Sequence, residues 1–220
     1  MKGSELYSLV NIFAGTDSHH GFSTGNSLPL IAYPWGHTHW TIQTTESRWF
    51  FHPDHQKFQG FRATHQPSPW MGDYGQLVFM PFTGEPPRLD PEGRSSAYSS
   101  GLQPDKAIIF LKRYGIHCHL LSRRTGAKLA WGPDITFPTT EPLPILNEKR
   151  NRFLVEGFVD FEAEQTVLRV RVSKSSGGTP DNFSTFYLFK FSEQFTVEQV
   201  GEDRLYLDFG VIRSEPPGIG

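Results

Sequence analysis

No window of helical length in this chain keeps a 3.6-residue apolar period clear of proline, glycine and β-branched runs. Seventeen prolines and 21 glycines in 220 residues cut the backbone into short pieces. Between the cuts the apolar residues favour strands: 19 Phe, 7 Tyr and 5 Trp stand against 3 Met. Short strands at close spacing, with turn residues between them, predict an all-β fold, an antiparallel β-sandwich with few or no helices. The best helical stretch is a single turn near Pro104 to Ala107.

Several strands can be placed. Gln76 to Phe82 is one. Lys106 to Ser122 reads as a hairpin bent at Tyr114-Gly115. In its second arm Ile116, Cys118 and Leu120 share one face, and His117, His119 and Leu121 the other. Arg152 to Glu162 and Thr166 to Ser173 read as a second pair, with Leu168, Val170 and Val172 inward and Arg169 and Arg171 toward water. Phe183 to Phe191 is apolar on both faces, as a central strand of a two-layer core would be. Arg204 to Ile212 is the last strand. Glu85 to Pro104 reads as a surface loop, Gly132 to Asn151 as a proline-rich stretch wrapping an edge, and Gly177 to Asn182 as a turn.

The length suits one large domain with a substantial core, spanning residues 1–220. A net charge of -2 gives no reason to expect nucleic acid or an anionic membrane as partner. A single cysteine, Cys118, allows no intrachain disulfide. No apolar run approaches a membrane span, and the first residues show no signal peptide. The ending "RSEPPGIG" reads as a linker from about residue 214.

The motifs that could carry chemistry are few. Gly21 to Gly25 has the spacing of a nucleophile elbow around Ser23, but two prolines follow where that motif needs a helix. The pairs His37/His39 and His117/His119 each place two rings on one strand face, as a zinc site would. Further ligands would have to come from Asp17, His19, His20, His52, His55 or His65. In Ser47 to His55, Trp49, Phe50 and Phe51 can serve as core, as a platform for a sugar ring, or divide between the two. Asp17, Asp54, Asp73 and Asp134 are loop carboxylates without a context that marks them as catalytic. Between two strands, Gly60 to Pro81 carries His65, Gln66, Trp70, Asp73 and Tyr74 in a loop, where a rigid scaffold frees side chains to meet a partner.

Taken together these stretches resemble glycoside hydrolase family 92. Val10, Asn11, Phe13, Gly15 and Thr16, the loop His19 to Gly25, and Leu28-Pro29 follow the family's opening signature. Gly60, Phe61, Thr64 and His65, then Gly72 to Gly75, then Met80-Pro81 follow its second motif. Ser176 to Phe191 is similar to a later strand of the family, and Gly132 to Asn151 matches nothing in it.

The resemblance implies an N-terminal β-sandwich of the galactose-mutarotase-like supersandwich type, followed by a C-terminal (α/α)6 barrel. It implies a calcium-dependent, inverting exo-α-mannosidase that trims α-1,2-type glycans. The acid, the base and most calcium contacts lie in the barrel, and no catalytic or metal-binding residue is expected in this chain. This chain is then expected to support the barrel and line the rim of the mannose pocket. The expected sugar-facing residues are Trp49, Trp70, His65, Gln66 and Asp73. Gly15, Thr16, His19, His20 and Tyr74 are expected at the domain contact. Trp49 and Trp70 can stack on sugar or bury against the barrel. Periplasmic or extracellular location is typical of the family. Two readings stand beside this one: a free-standing lectin-like module binding glycans, and a hydrolase using the two histidine pairs with zinc.

Overall fold

The computed structural model describes residues 3–17, 21, 27–33, 38–46, 50–65, 76–85, 88–124, 126–132, 149–173 and 179–211. Among them every strand pairing is antiparallel. Two short helices, α1 (Gly3–Ser8) and α2 (Pro91–Arg94), complete the regular structure. Neither is long enough to cross a membrane.

Six strands build the largest sheet. The edge strand β1 (His39–Gln43) pairs with β3 (Gly60–Thr64), and β3 pairs with β4 (Leu77–Thr83). Next come β9 (Asn151–Glu156), β14 (Arg204–Asp208) and β13 (Thr196–Gln199). All seven residues of β4 are buried, so this sheet is covered on both faces at its centre. A five-stranded sheet runs β2 (Lys57–Phe58), β5 (Ser96–Gln103), β6 (Lys106–Leu111), β7 (Ile116–Arg123), β8 (Gly126–Gly132). A three-stranded sheet holds β10 (Asp160–Glu164), β11 (Val167–Val172) and β12 (Thr185–Lys190).

Aromatic rings join the three sheets. Phe79 of β4 stacks on Phe61 at 5.6 Å and on Phe153 of β9 at 5.7 Å, and meets Trp40 edge-on. Phe189 of β12 reaches both Phe79 (5.8 Å) and Phe153 (5.6 Å). Trp131 of β8 lies 5.5 Å from Phe153. The high phenylalanine count therefore fills the space where three sheets meet, and offset and edge-on pairs suit the ring quadrupole.

The β6–β7 hairpin forms as the pattern predicts. Its bend falls at Tyr114-Gly115, with Gly115 at φ 64°. Ile116, Cys118 and Leu120 face the core. Strand β11 alternates as expected, and Arg171 and Arg169 sit outside against Asp160 and Glu164.

Four expectations fail for identifiable reasons. Pro104 to Ala107 is no helical turn: Pro104 and Asp105 make the tight connection of the β5–β6 hairpin. Glu85 to Pro104 is not simply a loop. Asp90 caps α2 by accepting from the Gly93 N–H at 2.9 Å, and β5 follows at once. Arg152 to Glu162 is not one strand. Gly157, at φ 98° and with the Gln76 carbonyl 3.3 Å from where a Cβ would sit, breaks it. Strand β9 then pairs with β4 and β14, and only β10 pairs with β11. Finally, β12 is an edge strand among the described residues, not a central one. Tyr187 and Phe189 turn inward, while Phe186 and Leu188 are 73% and 55% exposed. The six-stranded sheet takes both-face burial at β4, a role the sequence pattern of β12 imitates. Of the proline-rich stretch, residues 133–148 lie outside the described residues.

Truncating the ring at the junction should be costly. Phe153→Ala is expected to destabilise by about 3–5 kcal/mol, since a large buried ring leaves a cavity. Phe186→Ala, on the open face, should stay within about 0.5 kcal/mol. Thermal melts followed by circular dichroism would check both.

Candidate functional site

Strand β3 ends at the buried Thr64, and β4 resumes at Leu77. Of the residues expected to meet sugar between them, His65 is described. Gln66, Trp70 and Asp73 lie outside the described residues, as do Trp49, Tyr74, His19 and His20. His65 is half-buried at the end of β3, and its Nε2 lies 3.4 Å from the Tyr187 hydroxyl of β12. Tyr187 is itself nearly buried, so two sheets meet at this histidine.

Beneath the same end of the molecule, Arg62 of β3 gathers a set of polar groups. Its guanidinium donates to Gln43 Oε1 at 2.5 Å and to Gln76 Oε1. The Gln43 amide donates onward to Gln59 Oε1 at 3.1 Å. The Phe50 ring lies over the guanidinium, 4.2 Å from Cζ to the centroid. Phe50 holds φ 34°, a conformation a bulky residue adopts only when its surroundings fix it. Here the Arg62 contact and the hydrogen bond from the Thr44 N–H to the Phe50 carbonyl (2.9 Å) do so. Thr44 also grips His52, accepting from its N–H at 3.0 Å. Of the aromatic run, then, Phe50 and Phe51 serve the core.

The N-terminal contact residues stand nearby. The Phe51 ring meets Phe13 at 6.1 Å. Thr16 is buried, and its hydroxyl donates to the Phe13 carbonyl at 2.8 Å, while Gly15 is exposed at φ 81°.

The other motifs resolve differently. Ser23 and His37 lie outside the described residues. His117 and His119 have ring centroids 6.4 Å apart. Among the described residues no group of three or more His, Cys, Asp or Glu could hold a metal ion. Burial, then His117 and Lys106, holds the His119 imidazole below its ordinary value. Two inward carboxylates are each tied to two arginines, Glu156 to Arg94 and Arg204, and Asp208 to Arg150 and Arg152. They act as structural ties.

Arg62, Gln43, Gln76 and Tyr187 escaped the sequence reading. The one signal for Arg62 is a charged residue inside a strand whose neighbours Phe61 and Ala63 are apolar. Nothing local to Gln43 or Gln76 predicts that they share one cation.

Comparison with known proteins fits this architecture. Residues 9–208 match the glycosyl hydrolase family 92 N-terminal domain. The chain belongs to that family. The structure of an inverting mannosidase of family GH92 from Bacteroides thetaiotaomicron is similar over 99% of this chain, at 26% identity and a TM-score of 0.71. A family GH92 alpha-mannosidase from the same organism, solved with mannoimidazole, is similar over 94% at 18% identity and a TM-score of 0.67. The likeness covers only 30% of either neighbour's chain, so this family 92 domain spans about a third of their length. No curated protein matches the chain.

Two outcomes follow for this family 92 domain. Arg62→Met leaves two buried amide oxygens without a donor and should cost about 1–3 kcal/mol in denaturant melts. Arg62→Lys restores the charge but not the two-pronged geometry, and should recover less than half. His119 titrates below its ordinary value of 6.5, so the unfolded chain takes up this proton first and stability falls as pH drops below 6.5. His119→Leu should make the fall in Tm between pH 8 and pH 5 shallower than in the parent protein.

Proposed function

We propose that this chain is the N-terminal domain of a calcium-dependent, inverting exo-α-mannosidase acting on α-1,2-linked mannose in glycans. The observation that carries the reading is the family match over residues 9–208, joined to a likeness spanning 99% of this chain but 30% of an inverting mannosidase. In this reading a C-terminal (α/α)6 barrel supplies the general acid, the general base and the calcium site. The sandwich supports the barrel and lines the rim of the mannose pocket. Trp49, Trp70, His65, Gln66 and Asp73 are the proposed sugar-facing residues, and Gly15, Thr16, His19, His20 and Tyr74 the proposed contact with the barrel.

The described site supports a recognition role. Arg62 fixes Phe50, directly after Trp49, and Gln76, directly after the loop that carries Trp70 and Asp73. A rim built from loops needs such anchoring, because sugar contacts depend on side chains held in place before the ligand arrives.

The test is mannose release from an α-1,2-mannobiose, with the product anomer followed by NMR. The intact gene product should release β-mannose, lose activity on chelation and regain it with calcium. Residues 1–220 alone should release none. Turnover by the isolated 220 residues, or none by the intact protein, would contradict the reading. Saturable glycan binding by the 220 residues, with an inactive intact protein, would favour the lectin-like module.

A further inference from the structure

Strand β12 belongs to a phenylalanine-rich run. Between Phe183 and Phe195 the chain places five phenylalanines and one tyrosine, Tyr187. Tyr187 turns inward and is 8% exposed, so its ring is part of the core. A phenylalanine would fill the same space without burying a hydroxyl, which costs free energy unless it meets a partner. The other buried tyrosines among the described residues, Tyr114 and Tyr206, give theirs to the Arg94 carbonyl and to Glu198. Tyr187 brings its hydroxyl to His65, 3.4 Å from Nε2.

The packing of two sheets builds this contact. Phe189 of β12 meets Phe79, which is the partner of Phe61 in the β3–β4 register. Tyr187, two residues before Phe189, shares its face of β12, and Ala63 shares the Phe61 face of β3. Thr64 is fully buried and paired with His39, which fixes the backbone to the end of β3. His65 comes next, half-buried, with its imidazole against Tyr187. The loop with Gln66, Trp70 and Asp73 begins one residue later. Arg62 grips the far end of that loop through Gln76, and Tyr187 grips the near end.

We infer that Tyr187 is a positioning residue for the mannose-binding rim: its hydroxyl holds the His65 imidazole in one orientation, ready for a sugar hydroxyl. The inference deepens the function proposed above and rests on it. Tyr187 is buried and acts through His65. Its ring is packed in the core, so the imidazole is set before the sugar arrives and less ordering is left to binding. A rim contact is made alike before and during reaction, so its loss falls on KM and not on kcat.

The experiment uses the intact protein as Tyr187→Phe, His65→Ala and the double variant, with α-1,2-mannobiose as substrate. Tyr187→Phe removes one oxygen and keeps the ring in the core. It should raise KM about three- to tenfold and leave kcat within about twofold. With His65→Ala already present, it should change KM by less than about twofold. On the parent and Tyr187→Phe, the rate of His65 modification by diethyl pyrocarbonate is read by peptide mass spectrometry. Tyr187→Phe should speed it about threefold or more, because the released ring nitrogen is open to the reagent. Phe189→Leu, which disturbs the same strand without touching the hydroxyl, should not. An unchanged KM in an active protein, or a KM effect that survives in full beside His65→Ala, would overturn the proposal. So would equal modification rates in parent and Tyr187→Phe, with or without hydrolysis. Faster modification of Tyr187→Phe in a protein whose parent hydrolyses no mannoside would support the hold on His65 and remove the mannosidase reading.

Discussion

The stack of Phe61, Phe79 and Phe153 is the contact on which the rest of the structure leans. It lies at the centre of the six-stranded sheet; the five-stranded sheet reaches it with Phe58 of β2 and Trp131 of β8, and the three-stranded sheet with Phe189 of β12. None of the three sheets can bury its apolar face without the others. Such a core places large rigid rings where short strands alone would leave gaps, which explains the phenylalanine-rich, methionine-poor composition.

Polar groups inside this frame tie particular segments to particular strands. Arg94, 1% exposed, donates to the Gln59 carbonyl, the Leu89 carbonyl and Glu156, so α2 is bound to β9 and to the start of β3. Arg62 does the same for the chain on either side of two loops. Buried charges of this kind add little net stability against an apolar replacement, but losing one partner is costly. Their use here is positional. Arg62 lies over the strained Phe50 and ties Gln76 to β3.

Much of this was legible in the residues. The β6–β7 hairpin and the alternation in β11 follow from period-two patterning, because each has one wet face and one dry face. The family could be read from Val10–Thr16, Gly60–His65 and Gly72–Gly75, because these residues resemble its signature motifs. What patterning could not supply was partnership. Phe183 to Phe191 is apolar on both sides, and only the sheet order reveals that Phe186 and Leu188 face outward. The split at Gly157 depends on the close approach of Gln76, far away in sequence. Arg62 was invisible because its partners come from three separate segments.

The most direct measurement is an experimental structure of the intact protein with a mannose-like inhibitor bound. The account predicts that the sugar sits where the two parts meet, with at least one side chain from the β3–β4 or β1–β2 connection within about 4 Å of it. An inhibitor enclosed by the remainder of the protein alone, with no residue of this domain in contact, would contradict it.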